Sequence, residues 1–125
     1  MPATVFIVAG AAFGAAGVVL GALGAHGLES RLGAEALGSW QTAVLYQLVH
    51  ALALVAAGIL LLIEFPRGWL VFSGWCFVAG VLLFCGALYA LALGAQSSVA
   101  HLAPVGGMAF VFGWLGLLVG ALQGR

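Results

Sequence analysis

Long runs of residues without a charged side chain constrain this chain more than any other feature. The first run covers positions 4–25, and others include positions 41–63, 69–93 and 105–122. About 20 consecutive apolar residues in a helix are enough to cross the hydrocarbon core of a bilayer. We therefore predict four membrane-spanning helices over these four ranges. No basic residue lies between Met1 and Thr4, which argues against reading the first range as a cleaved signal peptide.

The composition supports a membrane protein. Hydrophobic residues make up 66% of the chain and charged residues 5%, whereas soluble domains contain roughly 45–50% and about 25%. A net charge of zero gives no basic surface for nucleic acid. We predict an all-α integral membrane four-helix bundle with up-down-up-down topology, formed by a single domain over residues 1–125, with the lipid bilayer as its surroundings.

The segment between the first two predicted spans holds half of the charged residues, namely Glu29, Arg31 and Glu35. We predict a short interfacial helix or a loop there. Ser39 is a residue type that caps helices, so we expect it to begin the second span. Trp40 then falls at the membrane interface, where tryptophan is enriched.

Small residues recur at heptad spacing on the first and fourth spans. Successive positions are alternately three and four residues apart, as in a coiled-coil seam. In lipid, small residues let helix backbones approach closely. We predict that both stripes face other helices, and contact between the two stripes is one arrangement that fits. The positions are Gly10, Gly14, Gly17, Gly21 and Gly24 in the first span, and Gly106, Ala109, Gly113, Gly116 and Gly120 in the fourth.

Polar side chains follow one face of the second span. At about 100° per residue, Trp40, Gln47 and His50 fall on one side of this helix, and Tyr46 lies at its edge. Thr42 is a further polar residue of this segment, and we include it in the candidate intramembrane site. A polar face in a membrane helix is expected to turn inward, towards the other helices.

Two functions fit this polar face. His50 lies about 15 Å along the helix axis from Trp40, near mid-membrane, where an ionisable residue indicates function. One hypothesis is a small transporter or channel-like protein for protons or a neutral solute, with a cavity formed by His50, Gln47 and Tyr46 in an oligomer. The other is a structural or interaction component whose polar side chains hold the helices together. A single histidine without a carboxylate is a poor proton relay, so the second hypothesis is favoured, with a homo-oligomer or a membrane protein as partner.

The remaining histidines, His26 and His101, are polar residues of one membrane face, at the ends of the first and third spans. Neither lies at the depth of His50, and the chain has no His-x-x-x-His or Glu-x-x-His pair that would indicate a metal or haem site. The chain contains no Asp, and each Glu lies at or beyond the end of a span. We predict no metal, no cofactor and no catalytic residue, and therefore no enzyme.

Four motifs resemble those of a known family in their order and spacing. They are Gly24–Leu28, Trp40–Leu54, Phe84–Tyr89 and Leu102–Gly107. Together they resemble the YgdD-like family of small four-helix membrane proteins, the domain-of-unknown-function 423 family. The family pattern has serine where Cys85 stands here. The resemblance implies a four-span architecture and no biochemical activity, since none is established for the family.

The arginines indicate an orientation. With four spans, both termini, Arg67 and Arg125 lie on one side of the membrane, and Arg31 lies on the other. The positive-inside rule favours the side with more arginines as the cytoplasmic side. We predict a bacterial inner membrane protein with both termini in the cytoplasm.

Overall fold

A computed structural model describes residues 1–124 as four long helices without a strand among them. The first helix spans Pro2–His26 and the second Ala34–Leu62. The third spans Arg67–Ala92, and the fourth spans Leu102–Gln123 after a short 3₁₀ turn at Ser97–His101. All four are long and apolar enough to cross a membrane. The predicted all-α four-helix membrane fold is therefore confirmed.

The second helix begins earlier than its predicted span. Its N-cap is Gly33, so Ser39 lies within the helix and the prediction that Ser39 caps it is wrong. Ala, Glu and Leu have high helix propensity, and Glu35 in the first turn is favoured by the helix dipole. The hydropathy pattern shows where the apolar part of the helix begins, at position 41, whereas the helix itself begins at Ala34. The connection from the first helix is a loop without a helix of its own.

The third helix contains a π-helical stretch at Val81–Cys85. Such a stretch widens one turn, and π-bulges in α-helices occur often near functional sites. The turns at the two ends of the third helix contain residues with left-handed backbone, Glu64 with φ of 68° and Gly94 with φ of 97°. Pro66 precedes the third helix, and Pro104 lies in the first turn of the fourth, where proline needs no helical N–H partner.

The four helices form two antiparallel hairpins that join through the second and third helices. The first helix packs along the second, and the fourth packs along the third. The first helix touches the third around Gly74, whose bare backbone receives the ring of Phe6. The largest fully buried apolar side chains are Phe6 of the first helix, Leu54 of the second, and Leu70 and Phe77 of the third.

Each small-residue stripe faces the partner helix of its own hairpin. Gly10 contacts Val55 and the backbone of Ala51, whereas Gly113 contacts Phe77. The arrangement in which the two stripes touch one another is not observed. Arg125, one of the two arginines on which the predicted orientation rests, lies outside the described residues.

Candidate functional site

Two side chains of the second helix donate hydrogen bonds to the backbone of the first. The Trp40 Nε1–H donates to the carbonyl oxygen of Leu20 at 2.8 Å. The Gln47 Nε2–H donates to the carbonyl oxygen of Phe13, also at 2.8 Å. Trp40 and Gln47 are each 4% exposed, so both bonds lie inside the helix junction. Because donors and acceptors are both seven residues apart, the two bonds repeat along the antiparallel pair.

The glycine stripe makes these carbonyl groups reachable. Within an α-helix, each N–H donates to the carbonyl oxygen four residues earlier. Gly24 is therefore the helical partner of Leu20, and Gly17 is the helical partner of Phe13. A Cβ atom at Gly24 would lie 2.8 Å from Trp40 Cδ1, and one at Gly17 would lie 2.7 Å from Leu48 Cδ2. A side chain at Gly24 would therefore displace the Trp40 ring, whereas one at Gly17 would require the end of the Leu48 side chain to move. The stripe permits close packing and also uncovers the second lone pair of two carbonyl oxygens.

The amide of Gln47 also binds the third helix. The hydroxyl group of Tyr89 donates to Gln47 Oε1 at 2.7 Å. The Tyr89 ring packs edge-on against Trp40, with ring centroids 4.7 Å apart. One amide side chain thus links three helices, because its nitrogen binds the first helix and its oxygen binds the third.

His50 links the second helix to the fourth. Its Nε2 atom lies 3.0 Å from Nε1 of Trp114, and its Nδ1 atom lies 2.7 Å from the carbonyl oxygen of Tyr46. An indole N–H only donates, so His50 Nε2 accepts and Nδ1 carries the proton that it donates to Tyr46. The ring stacks on Phe110 at a centroid distance of 3.6 Å with planes 11° apart. This geometry describes a neutral imidazole in one tautomer, held on both edges and on one face.

Two predicted site residues lie at or outside the border of this cluster. Tyr46 is 40% exposed, and its ring packs against Phe84 with centroids 4.8 Å apart. Thr42 is exposed because it lies about 200° around the helix from Trp40, so it does not join the buried polar face.

Beside Tyr46 and His50, an apolar groove of about 300 Å³ opens on the surface of the second helix.

Several residues of the cluster were not predicted from the sequence. Tyr89 and Trp114 donate to the polar face from other helices, and Phe110 covers the imidazole. Ser73 is fully buried, and its hydroxyl group donates to the carbonyl oxygen of Gly113 at 2.6 Å. The sequence does indicate Ser73, because it is the one serine or threonine in an otherwise apolar span, at positions 69–93. No sequence feature indicates Tyr89 or Trp114 as hydrogen-bond donors to this cluster, because many aromatic residues in membrane helices have no polar partner.

The other candidate polar residues stay apart from the cluster. His26 and His101 are exposed at helix ends. Over residues 1–124, no three side chains of His, Cys, Asp or Glu come together as a metal-binding group. The cluster around Gln47 and His50 is therefore the part of the described chain in which buried polar groups converge.

Comparison with known proteins identifies relatives of this chain. The family model described as a protein of unknown function (DUF423) matches residues 20–107. The UPF0382 membrane protein SSP2132 of Staphylococcus saprophyticus is 39% identical over 120 residues, which cover 95% of this chain and 98% of the relative. The UPF0382 membrane protein YwdK of Bacillus subtilis is 38% identical over 119 residues, which cover 95% of this chain and 97% of the relative.

A third relative carries a location in its name. The UPF0382 inner membrane protein YgdD of Escherichia coli is 39% identical over 106 residues, which cover 85% of this chain and 80% of the relative. No solved structure matches the chain at a significant level. The resemblance to the YgdD-like family inferred from the four motifs is confirmed.

Proposed function

The chain belongs to the DUF423 family of proteins of unknown function, and from that premise we propose that it is a structural or interaction component of the membrane. One observation carries the proposal. The polar atoms of Trp40, Gln47 and His50 are bound by groups inside the bundle. Their hydrogen bonds connect the second helix to each of the other three.

Pairing of this kind stabilises a membrane bundle and specifies its register. Between helices in lipid, one such hydrogen bond contributes about 0.6 kcal/mol on average and up to about 1.7 kcal/mol. The contribution of each bond is small, but an incorrect register would leave several polar groups unsatisfied in hydrocarbon. The polar face therefore selects one arrangement of the two hairpins.

The same geometry disfavours proton transport through His50. Both ring nitrogens are engaged, and a second proton on Nε2 would face the N–H of Trp114, which cannot accept a hydrogen bond. The adjacent groove is bordered by Leu45, Tyr46, Val49 and His50 and has almost no polar surface. A water path past His50 would require the described contacts to open.

The proposal includes three further parts. We propose a partner within the membrane, either a second copy of this chain or another membrane protein, and no catalytic role. We also propose that the chain resides in a bacterial inner membrane with both termini in the cytoplasm. The inner-membrane relative from Escherichia coli supports the location. The mass of the protein in lipid nanodiscs distinguishes a self-association partner from a different protein.

Tyr89→Phe tests the structural proposal because it removes one hydroxyl group and leaves the ring. We expect the free energy of unfolding in mild detergent to fall by about 1–3 kcal/mol, because the change leaves the buried Oε1 atom of Gln47 without its donor. Tyr46→Phe is the matched control, since Tyr46 is partly exposed at the edge of the bundle. In liposomes with an imposed pH gradient, both variants and the wild type are expected to leak no faster than protein-free liposomes. Proton flux that His50→Phe abolishes would contradict the proposal and favour transport.

A further inference from the structure

A pocket of about 480 Å³ lies at the end of the bundle where the first helix starts and the second helix meets the third. Thr4, Glu64 and Arg67 supply polar groups to its lining, and Leu61, Leu62 and Phe65 are among its apolar residues. The groove beside His50 has no carboxylate or guanidinium in its lining, whereas this pocket has one of each. In this pocket, charged side chains therefore lie next to apolar side chains, at the end of the membrane-spanning helices.

Glu64 occupies a backbone position that suits glycine. Its φ is 68°, and the N–H of Phe65 donates to the carbonyl oxygen of Leu60 across it at 3.1 Å. This pattern closes the C-terminus of the second helix, and glycine is the usual residue at the left-handed position. A side chain with a Cβ atom is strained there. The side chain of Glu64 is one of those that line the pocket, so its carboxylate is available to a ligand there.

Arg67 supplies the opposite charge on the same pocket. It is the first residue of the third helix, and guanidinium groups bind phosphate through two parallel hydrogen bonds. The N-terminus of a long helix also favours an anion. Both Glu64 and Arg67 are exposed, so a ligand can reach them. Among the side chains that line the pocket, one carboxylate and one guanidinium complement a molecule that has a cationic and an anionic group.

We propose that this pocket binds the headgroup of a zwitterionic phospholipid with a primary amine. Arg67 binds the phosphate, Glu64 binds the ammonium group, and an acyl chain lies along Leu61 and Leu62, the latter 58% exposed. A primary ammonium has three N–H donors for the carboxylate. A trimethylated amine has none, and an anionic headgroup without an amine leaves Glu64 without a partner.

The test offers lipids in competition to the purified full-length chain in detergent. Dioleoylphosphatidylethanolamine, dioleoylphosphatidylcholine and dioleoylphosphatidylglycerol are supplied in equal amounts, and retained lipid is counted by native mass spectrometry. We expect the wild type to retain phosphatidylethanolamine over the other two and Glu64→Gln to lose this preference. Glu35→Gln, in the first turn of the second helix at the opposite end of the bundle, is expected to keep it.

Glu64→Gly separates binding from folding. Glycine relieves the left-handed strain, so this variant is expected to unfold at a higher temperature than the wild type while losing the preference for phosphatidylethanolamine. Free phosphorylethanolamine in equal concentration is expected to leave the bound lipid in place. Its displacement of the lipid would overturn the lipid assignment in favour of a soluble ligand. Equal retention of the three lipids by the wild type, or an unchanged preference in Glu64→Gln, would overturn the site.

Discussion

At the scale of single residues, Gln47 and His50 each use both ends of one side chain. Gln47 accepts from Tyr89 and donates to Phe13, so it needs an amide in one orientation. His50 accepts from Trp114 and therefore needs an unprotonated Nε2. Removing one partner of such a pair leaves a buried polar group unsatisfied, which is more destabilising than the loss of the bond itself.

The tautomer of His50 can be observed directly. We expect ¹⁵N NMR of the histidine-labelled protein in lipid at neutral pH to show a protonated Nδ1 and an unprotonated, hydrogen-bonded Nε2. Trp114→Phe is expected to move the Nε2 resonance and to leave the Nδ1 resonance nearly unchanged, since the Nδ1 bond to Tyr46 is within one helix. A protonated Nε2 in the wild type would contradict the described hydrogen bond.

At the scale of helices, glycines allow the side chains or the backbone of a neighbouring helix to pack directly against the helix backbone. Gly80 receives the ring of Phe110, which in turn covers His50. Gly106 lies directly against the backbone of Phe84 in the π-helical stretch. The π-helical turn of the third helix and Gly106 of the fourth helix are therefore in direct contact.

Gly106 and Gly107 form a matched pair for testing this contact. A Cβ atom at Gly106 would collide with the backbone nitrogen of Phe84, whereas one at Gly107 would lie 3.8 Å from Phe84 Cδ1 in ordinary contact. We expect Gly106→Ala to lower the free energy of unfolding by about 1–3 kcal/mol, as overpacking does. Gly107→Ala is expected to change it by less than about 0.5 kcal/mol. Denaturant titration of both variants measures the difference, and equal effects would argue against the close approach.

At the scale of the whole molecule, two hairpins join along the second and third helices. The first and fourth helices are therefore the outer ones, and a smaller share of their residues is buried than in the second and third helices. The hairpins meet through apolar packing that includes Leu54 and Phe77 and through the hydrogen bonds of Gln47 and His50, and in lipid such contacts replace the hydrophobic drive of association in water. The loops at the two ends of the bundle must then lie on opposite sides of the membrane.

Cysteine labelling tests this topology. Gly68→Cys and Ser98→Cys place single thiols at exposed positions near the two ends of the third helix, in a background where the free Cys76 and Cys85 are replaced by Ala. With a membrane-impermeant maleimide on intact spheroplasts, Ser98→Cys is expected to react and Gly68→Cys to react only after permeabilisation. The reverse result would invert the proposed orientation, and labelling of both from outside would contradict the topology itself.

The sequence by itself determined the membrane environment, the four helices and the polar face of the second helix. Each of these follows from properties of neighbouring residues, because hydropathy and helical period depend on short segments. Glu35 and Ser39 show the limit of this reasoning, since the apolar run begins several residues after the helix itself.

Only the tertiary structure decided which groups the polar face meets. The partners of Gln47 and His50 lie up to 64 residues away in sequence, and two of the acceptors are backbone carbonyl groups that any sequence would supply. Likewise, heptad spacing showed that the two small-residue stripes would pack, but not against which helix. Pairing in lipid depends on close contact between surfaces, and complementarity between distant surfaces is a property of the assembled bundle.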